Sequence, residues 1–251
     1  ILPPHRSVRL VRSAPDGLDR SAWISAIGAR DWSVGAEVLK RSSDASVIRA
    51  TVHSIDMVLK SRLSGGVKGS LQRVIGRSRS DRQWLGSEWL AAHGIASARC
   101  LALLTGRRDG AGVETLVLEY VPGHTLLWHI ARGAIAEDPM SPASRAIAYA
   151  VGTDMARLVK AGRFNRDHKP SNIVVVRSGP PTAALALVDA VAIVRFKPAK
   201  RSEAMARMIA SLMIEPRGIG HPAPETFMAR VVQALTARAP VPARLRWALK
   251  P

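Results

Sequence analysis

The sequence predicts an α+β fold with two lobes, an antiparallel sheet in the first lobe and mainly helices in a shortened second lobe. Short segments of β-branched or alternating apolar residues, separated by polar turns, fill residues 36–60 and recur at 100–121. The Pro122-Gly123 pair then ends the sheet, and longer segments with helical spacing follow it. We therefore expect an N-terminal lobe at residues 1–121 and a C-terminal lobe at 122–251.

The first predicted elements are three short strands at residues 36–39, 46–52 and 55–60. Each is rich in β-branched or alternating apolar residues, and polar turns separate them. An antiparallel meander is therefore expected. Its first turn, at residues 40–45, is polar and contains no glycine.

A basic connection and a helix follow the meander. Residues 64–81 are rich in glycine and then in arginine, which indicates a flexible or locally helical connection. Residues 82–93 carry Trp and Leu at helical spacing, and the glycine at position 94 is expected to end this helix. Strands at 100–104 and 115–121 then complete the first lobe.

The second lobe is predicted to contain four helices, one hairpin and a loosely ordered Pro- and Arg-rich end. The hairpin turns around a Gly-Pro-Pro sequence. The predicted helices are 126–134, 144–161, 202–213 and 225–237, and the hairpin strands are 173–176 and 184–188.

Composition limits the compartment and the kind of site. The chain has 47% hydrophobic residues and no run of about 18 apolar residues, so a folded protein without a membrane span is expected. Its single cysteine, Cys100, excludes an internal disulfide and leaves little scope for thiolate metal sites. The first residues also lack the apolar core of a secretory signal, so we expect a cytoplasmic protein.

The formal net charge of +18 makes an acidic partner plausible. The candidates are nucleic acid, an anionic lipid surface and phosphate-bearing small molecules, and charge alone does not rank them. The same balance also fits a solvated, arginine-rich background. Aromatic residues make up 4% of the chain and no zinc, RNA-recognition or helix-turn-helix signature stands out, which argues against nucleic acid.

The strongest chemical pattern is an acid five residues before an amide, followed by a second acid after an apolar segment. Asp167 can accept a proton or hydrogen bond from a substrate hydroxyl, and Lys169 can reach a transferring phosphate. Asn172 can offer its amide oxygen to Mg²⁺, and Asp189 can bridge the metal to the phosphates of ATP. These are the groups that phosphoryl transfer requires.

An ordinary capped turn is the alternative interpretation of this pattern, because Asp and Asn often bond to their own backbone. The flanking residues weigh against it. Asp189 interrupts two apolar stretches, at 185–188 and 190–193, where an unpaired buried carboxylate would be costly. The combined pattern therefore favours a phosphotransferase.

Five further residues are candidates for binding ATP. Val58 and Lys60 point to one face of their strand, which puts an apolar wall for adenine beside an ammonium for phosphate. Glu88 lies in an otherwise apolar and aromatic helix and favours a cationic partner such as Lys60. Glu119 and Val121 can offer backbone groups to the adenine edge. The alternatives are a solvated lysine at a strand end and an exposed glutamate on a helix.

These segments together resemble the kinase superfamily, and more closely the Kdo and heptose kinases of lipopolysaccharide assembly. The resemblance runs from about residue 34 to 213, and the segments that carry it are 58–60, 87–90, 94–95, 118–123, 167–172 and 187–189. It implies a bilobal protein-kinase-like fold, with the nucleotide-covering sheet and the Glu88 helix in the first lobe and the catalytic and metal-binding loops in the second.

The same resemblance implies roles for the candidate residues. Lys60 and Glu88 would form the ion pair that orients the phosphates, Asp167 would be the catalytic acid residue, and Asn172 with Asp189 would hold the metal. ATP and Mg²⁺ would be the cofactors. The acceptor would be a hydroxyl of a lipopolysaccharide-type sugar or of another small or glycolipid molecule, met at the inner face of an anionic membrane.

Three departures from the kinase pattern are visible. Asn165 replaces a histidine in a mainly structural position, and Ala190-Val191 replaces the usual Phe-Gly after Asp189. The glycine-free turn at 40–45 implies a different phosphate cover. The first of the two rival functions is a Ser/Thr protein kinase, which the Lys169-Pro170-Ser171 sequence resembles. Because only 62 residues follow Asp189, a smaller acceptor is preferred. The second rival is a catalytically silent kinase-like binding module.

Overall fold

The structure, a computed structural model, describes most of the chain as two compact units. The first unit comprises residues 1–87 with 98–120, and the second 88–97 with 121–251. The division into lobes at 121/122 stays a prediction. The predicted connection at 65–77 and the predicted loose end at 240–251 lie outside the described residues. The described residues are 5–11, 19–29, 35–64, 78–108, 111–179 and 181–239.

A six-stranded antiparallel sheet dominates the described part of the first unit, in the order β1-β5-β6-β4-β3-β2. The predicted meander is confirmed, because β2, β3 and β4 pair consecutively and antiparallel. The sheet also includes β1, which the sequence did not predict. The strands are β1 (His5–Val11), β2 (Glu37–Arg41), β3 (Ala45–Val52), β4 (Ile55–Ser64), β5 (Cys100–Arg108) and β6 (Ala111–Glu119).

The sheet buries one face against helix α1 (Arg20–Ala29). Met57 and Leu59 of β4 are fully buried and belong to the same apolar cluster as Trp23 and Ile27 of α1. Since strand side chains alternate, the neighbouring positions of β4 face the other side of the sheet. That alternation decides which β4 side chains remain available for a ligand.

Helix α2 (Arg79–Ala92) begins with a reciprocal cap. The Ser78 backbone N–H donates to Asp81 Oδ2 at 3.0 Å, and the Asp81 N–H donates to Ser78 Oγ at 3.1 Å. These bonds satisfy N–H groups that a helix start leaves unpaired. Residues of α2 up to Ser87 belong to the first unit and those from Glu88 to the second.

The described part of the second unit is mainly helical and contains two small antiparallel sheets, β10-β9-β7 and β11-β8. Its helices are α3 (Leu126–Ala131), α4 (Ala134–Glu137), α5 (Pro142–Lys160), α6 (Arg201–Gly218) and α7 (Glu225–Arg238). Its strands are β7 (His124–Thr125), β8 (Arg163–Asn165), β9 (Ile173–Arg177), β10 (Ala184–Leu187) and β11 (Ile193–Arg195).

Helices α5 and α7 form the centre of the second unit's core. Helix α5 starts with Ser141 as its cap, whose hydroxyl accepts the Ser144 N–H at 3.1 Å, and with Pro142 in the first turn. Gly152 lets α7 approach closely, since a Cβ there would lie 2.3 Å from the Val231 carbonyl oxygen. The two helices therefore pack around a position that accepts only glycine.

The predicted helix at 126–134 is broken into α3 and α4. Gly133 lies against the Trp128 ring, where an added Cβ would be 2.3 Å from Cζ3. The N–H groups of Arg132 and Gly133 both donate to the Trp128 carbonyl, at 2.8 and 3.1 Å, which ends the first helix. Among the residues that the structure describes, every helix is too short or too polar to cross a lipid bilayer.

Candidate active site

Two loops of the second unit run side by side. One loop, residues 166–172, joins β8 to β9, and the other, 188–192, joins β10 to β11. Because β9 pairs with β10 and β8 with β11, both ends of the two loops are held together. We call residues 166–172 and 188–192 the loop pair.

Backbone hydrogen bonds fix each end of the loop pair. The Val188 N–H donates to the Asn172 carbonyl at 3.0 Å, and the Arg166 N–H donates to the Ala192 carbonyl at 3.1 Å. Each of the predicted residues Asp167, Asn172 and Asp189 takes part in one of these bonds or lies directly beside a residue that does. The structure thus brings all three residues together on two adjacent, hydrogen-bonded loops.

Asn172 is bonded directly to Asp167. Its Nδ2 donates to the Asp167 backbone carbonyl and to Asp167 Oδ2, both at 3.1 Å. Because the amide nitrogen makes both of these bonds, the amide oxygen is not needed for them and can accept a cation. Lys169 Nζ lies 3.5 Å from Asp167 Oδ2, and the Asp167 side chain is 42% exposed, so a substrate can reach it.

Asn165 holds the backbone of Asp167 in place. It is fully buried, and its Oδ1 accepts the Asp167 backbone N–H at 3.0 Å. An Asx turn of this kind fixes the direction in which the following residues leave the strand. A polar residue that is not histidine therefore holds the start of the loop.

Asp189 follows the buried strand β10 and starts its own Asx turn. Its Oδ1 accepts the Val191 backbone N–H at 3.1 Å, and the residue is half-buried. The bond fixes the carboxylate relative to the loop backbone. The Ala190-Val191 sequence thus forms a defined turn without the aromatic residue and glycine of the usual kinase motif.

His168, which the sequence did not single out, is buried beneath the loop. Neither ring nitrogen has a hydrogen-bond partner among the described residues. Burial lowers the pKa of His168 to about 4, so the ring is neutral at physiological pH. It therefore acts as a packing residue between Asp167 and Lys169.

Glu215 of α6 is a second residue that sequence reasoning missed. Its carboxylate accepts both the Ser171 N–H at 2.8 Å and the Ser171 hydroxyl at 2.6 Å. This two-point bond anchors the 3-10 turn Pro170–Asn172 directly beside Asn172. The two partners are 44 residues apart in the chain, so no local pattern links them.

The predicted nucleotide-binding residues of β4 lie on the face opposite the core. Val58 and Lys60 are half-buried, while Met57 and Leu59 between them are fully buried. The predicted alternation of side chains is therefore confirmed for this strand. Glu88 is half-buried in α2. Lys60 and Glu88 belong to different units, and their pairing stays a prediction.

Glu119 ends β6, and Val121 follows two residues later. The Glu119 N–H donates to the Arg99 carbonyl at 2.9 Å, and its carboxylate lies 3.2 Å from Arg99 Nε. The N–H and the side chain of Glu119 are therefore both engaged by Arg99, and the role of Glu119 and Val121 in binding adenine stays a prediction.

The residues of the loop pair fit Mg²⁺ in their chemistry. Among the described residues no group of three His, Cys, Asp or Glu side chains could hold a metal, so a site made wholly of such ligands is not found there. Mg²⁺ is commonly held by one or two carboxylates together with substrate phosphates and water. Asp189 and the oriented Asn172 oxygen are hard oxygen donors of that kind.

Comparison with known proteins gives a fold likeness and no sequence match. No protein-family model and no curated protein sequence matches the chain. A solved structure of WaaP in complex with acyl carrier protein matches with a TM-score of 0.58 at 16% identity, over 84% of this chain and 81% of that one. The chain therefore has a bilobal kinase-like fold. Since 1523 solved chains match at the level of fold, the fold alone does not select an activity.

Proposed function

We propose that this protein is an ATP- and Mg²⁺-dependent phosphotransferase that transfers the γ-phosphate to a hydroxyl group. The observation that carries the proposal is the hydrogen bonding of the loop pair. It joins Asn172 to Asp167 at 3.1 Å and ties the backbone beside Asp189 to Asn172 at 3.0 Å. An exposed carboxylate beside two oxygen ligands suits phosphoryl transfer, in which positioning and charge compensation do most of the work.

In the proposed mechanism Asp167 accepts the proton of the substrate hydroxyl as the hydroxyl oxygen bonds to the γ-phosphorus and the bond to the β-phosphate oxygen breaks. Asn172 and Asp189 would hold Mg²⁺, which when bound neutralises charge on the phosphates. Lys169, 3.5 Å from Asp167, would add positive charge near the transferring group.

The nucleotide would lie against the residues predicted for it. Val58 would pack on adenine, and Lys60, oriented by Glu88, would contact the phosphates. The Glu119 carbonyl and the Val121 N–H would meet the adenine edge. Val58 and Lys60 are half-buried, which supports this proposal. A half-buried side chain is held in place by its neighbours and still exposes surface that a ligand can contact.

The acceptor is proposed to be a sugar hydroxyl of a lipopolysaccharide-type glycolipid or another small acceptor. The sequence resemblance and the fold likeness to WaaP support it. The net charge of +18 suits peripheral contact with the anionic inner face of a membrane, from a cytoplasmic location. A Ser/Thr protein kinase and a silent binding module are the rivals.

One assay separates these functions. Purified protein is incubated with Mg²⁺ and labelled ATP, together with glycolipids, soluble sugars or generic proteins, beside an Asp167→Asn control. Label on a sugar or glycolipid in the wild type alone supports the proposal. Label on protein alone favours the protein kinase. Absence of transfer together with absence of thermal stabilisation by Mg²⁺-ATP favours the silent module, because a ligand that binds the folded state raises its stability.

A further inference from the structure

An open, cation-lined cavity lies at the end of the β8–β11 pair that is remote from the loop pair. Its volume is about 200 Å³. Phe164 and Phe196 form an apolar floor, with ring centroids 6.3 Å apart in an edge-to-face arrangement. We call it the basic cavity, because four cationic side chains line it: Arg195, Lys197, Lys200 and Arg207.

The positive charge of the basic cavity is only partly compensated. Glu203 accepts from Lys200 at 2.9 Å and from Arg207 at 2.7 Å. In the part of the chain that the structure describes, Arg195 and Lys197 have no carboxylate within salt-bridge distance. Among the described residues, Glu203 therefore pairs with two of the four cations of the cavity and leaves the other two without an ion pair.

Arg195 also faces a like charge. It is the cross-strand partner of Arg163, and burial together with the Arg195 charge lowers the pKa of Arg163. Like charges directly opposite each other on antiparallel strands destabilise the pair. Two facing arginines lower the stability of the folded protein, and a bound anion would offset their repulsion. Local features that reduce stability are often found at functional sites.

Phe164, in the floor of the basic cavity, is three residues before Asp167 in the chain. Three residues span at most about 11 Å even when fully extended. The backbone at the floor of the cavity is therefore within about 11 Å of the backbone at Asp167, a separation on the scale of a sugar carrying a charged group.

We infer that the basic cavity binds a phosphate or carboxylate group of the acceptor, so that the substrate carries an anion in addition to the hydroxyl that is phosphorylated. This inference rests on the proposed function. The guanidinium of Arg195 can bind either anion through paired hydrogen bonds, and Lys197 adds a mobile charge. The two phenylalanines would pack on the apolar face of a sugar ring.

The first test measures binding alone. Inorganic phosphate and, in a second series, acetate are titrated into protein whose nucleotide site is saturated with Mg²⁺ and a non-hydrolysable ATP analogue. The test variant is Arg195→Gln/Lys197→Gln. The control is Arg177→Gln/Arg217→Gln, which removes two exposed arginines outside the cavity. All substituted positions are exposed, so the variants should fold.

We expect at least one of the two anions to bind the wild type and the control equally, and the test variant about tenfold more weakly. Which anion binds more tightly distinguishes a phosphorylated from a carboxylated acceptor. Equal affinity in all three proteins, or no binding of either anion to the wild type, would overturn the inference.

The second test uses an acceptor that the wild type phosphorylates. The test variant should raise the KM for an anionic acceptor about tenfold and leave kcat within about twofold, since the lost contact is remote from the reacting atoms. An unchanged KM refutes the acceptor role of the cavity even though transfer occurs. Anion binding without any phosphoryl transfer would instead refute the proposed function and leave the anion site standing.

Discussion

The two ends of the β8–β11 pair carry opposite chemistry. At the Asn165–Ile193 end the strands open into the loop pair, with the oxygen donors Asp167, Asn172 and Asp189. At the Arg163–Arg195 end they open into the basic cavity. A ladder of three residue pairs thus separates a site suited to a divalent cation from one suited to an anion. If both sites hold one acceptor molecule, as proposed above, this short ladder sets the distance between the reacting hydroxyl and the anionic group of that acceptor.

The ends also differ in the interactions between their side chains. At the first end Asn165 and Glu215 accept hydrogen bonds from the loop, and Asn172 donates one to Asp167, so the loop is held by the protein's own groups. At the second end Arg163 and Arg195 repel each other. We infer that the first end is preorganised and that the second end becomes more stable when an anion binds. Substitutions at the two ends can test this difference.

The largest effect is expected for Asp167→Asn. The asparagine retains an oxygen that can accept from Asn172 Nδ2, so the loop should keep its shape, whereas the proton acceptor is lost. We predict a fall in kcat of about 10²–10⁴-fold with an unchanged thermal midpoint. Steady-state kinetics and calorimetry on the same preparation measure both. A kcat within about tenfold of the wild type would exclude Asp167 as the base.

The next effect is the acid sensitivity that His168 gives to the first end. Its folded-state pKa of about 4 is below the ordinary value of 6.5, so the unfolded chain binds a proton at higher pH than the folded protein. The free energy of unfolding is therefore not reduced by His168 above about pH 6.5, and it falls as the pH decreases from 6.5 towards 4. The loss is on the order of 3 kcal/mol. His168→Leu should abolish it in urea unfolding curves at pH 7 and pH 4.

Asp154 provides a control of opposite sign. Burial raises its pKa to about 6 despite Arg157, whose Nη1 lies 3.1 Å from the carboxylate. Folding is therefore favoured as pH falls from about 6 towards 4, where the buried carboxyl is neutral. Asp154→Asn should stabilise the protein at pH 7 and leave the His168 effect intact. If His168→Leu and Asp154→Asn shifted the pH profile in the same direction, these pKa shifts would be wrong.

A smaller effect is expected for Glu215→Gln. Glutamine can still accept the Ser171 N–H and can donate to the Ser171 hydroxyl, but it carries no charge, so the turn beside Asn172 should loosen. We predict a fall in kcat of about tenfold, from the loss of a charge-assisted hydrogen bond. Ser171→Ala in the Glu215→Gln background should cost little more, which a double-mutant cycle on kcat measures. Additive losses would show that Glu215 acts elsewhere.

The smallest effect is a gain in stability at the second end. Arg195→Gln removes the charge opposite Arg163 and should raise the free energy of unfolding by up to about 1 kcal/mol. Arg177→Gln, an exposed arginine on β9, should change it by less. Chemical denaturation of the three proteins without added anion makes the comparison. A lower free energy of unfolding in Arg195→Gln would mean that Arg195 stabilises the folded protein even without a bound anion, which contradicts this prediction.

Elements with a strong local pattern were predictable from the sequence. The meander has β-branched residues in alternation, and its second turn is a tight two-residue connection with positive φ at His53 and Ser54. Helix α5 was predicted at 144–161 and forms at Pro142–Lys160, where a serine cap and an initial proline add local signals for its start. In each case the local residues and the final packing favour the same structure, so the pattern sufficed.

Elements that depend on a distant partner were not predictable. Strands β8 and β11 have three residues each and exist because they pair with each other. No element was predicted for the stretch that forms helix α1, although Trp23 and Ile27 are fully buried. The features of the candidate site also divide into local ones, which were predictable, and long-range ones, which were not. The spacing of Asp167 and Asn172 is local, while the Glu215 contact and the basic cavity arise only from the fold.

The most direct measurement is a crystal structure of the protein with Mg²⁺ and a non-hydrolysable ATP analogue. We predict a metal ion coordinated by Asn172 Oδ1 and an Asp189 carboxylate oxygen at about 2.0–2.1 Å, with the γ-phosphate facing Asp167. A metal and triphosphate bound away from the loop pair, or Asn172 and Asp189 without a metal at saturating Mg²⁺ and nucleotide, would contradict the proposed phosphotransfer site.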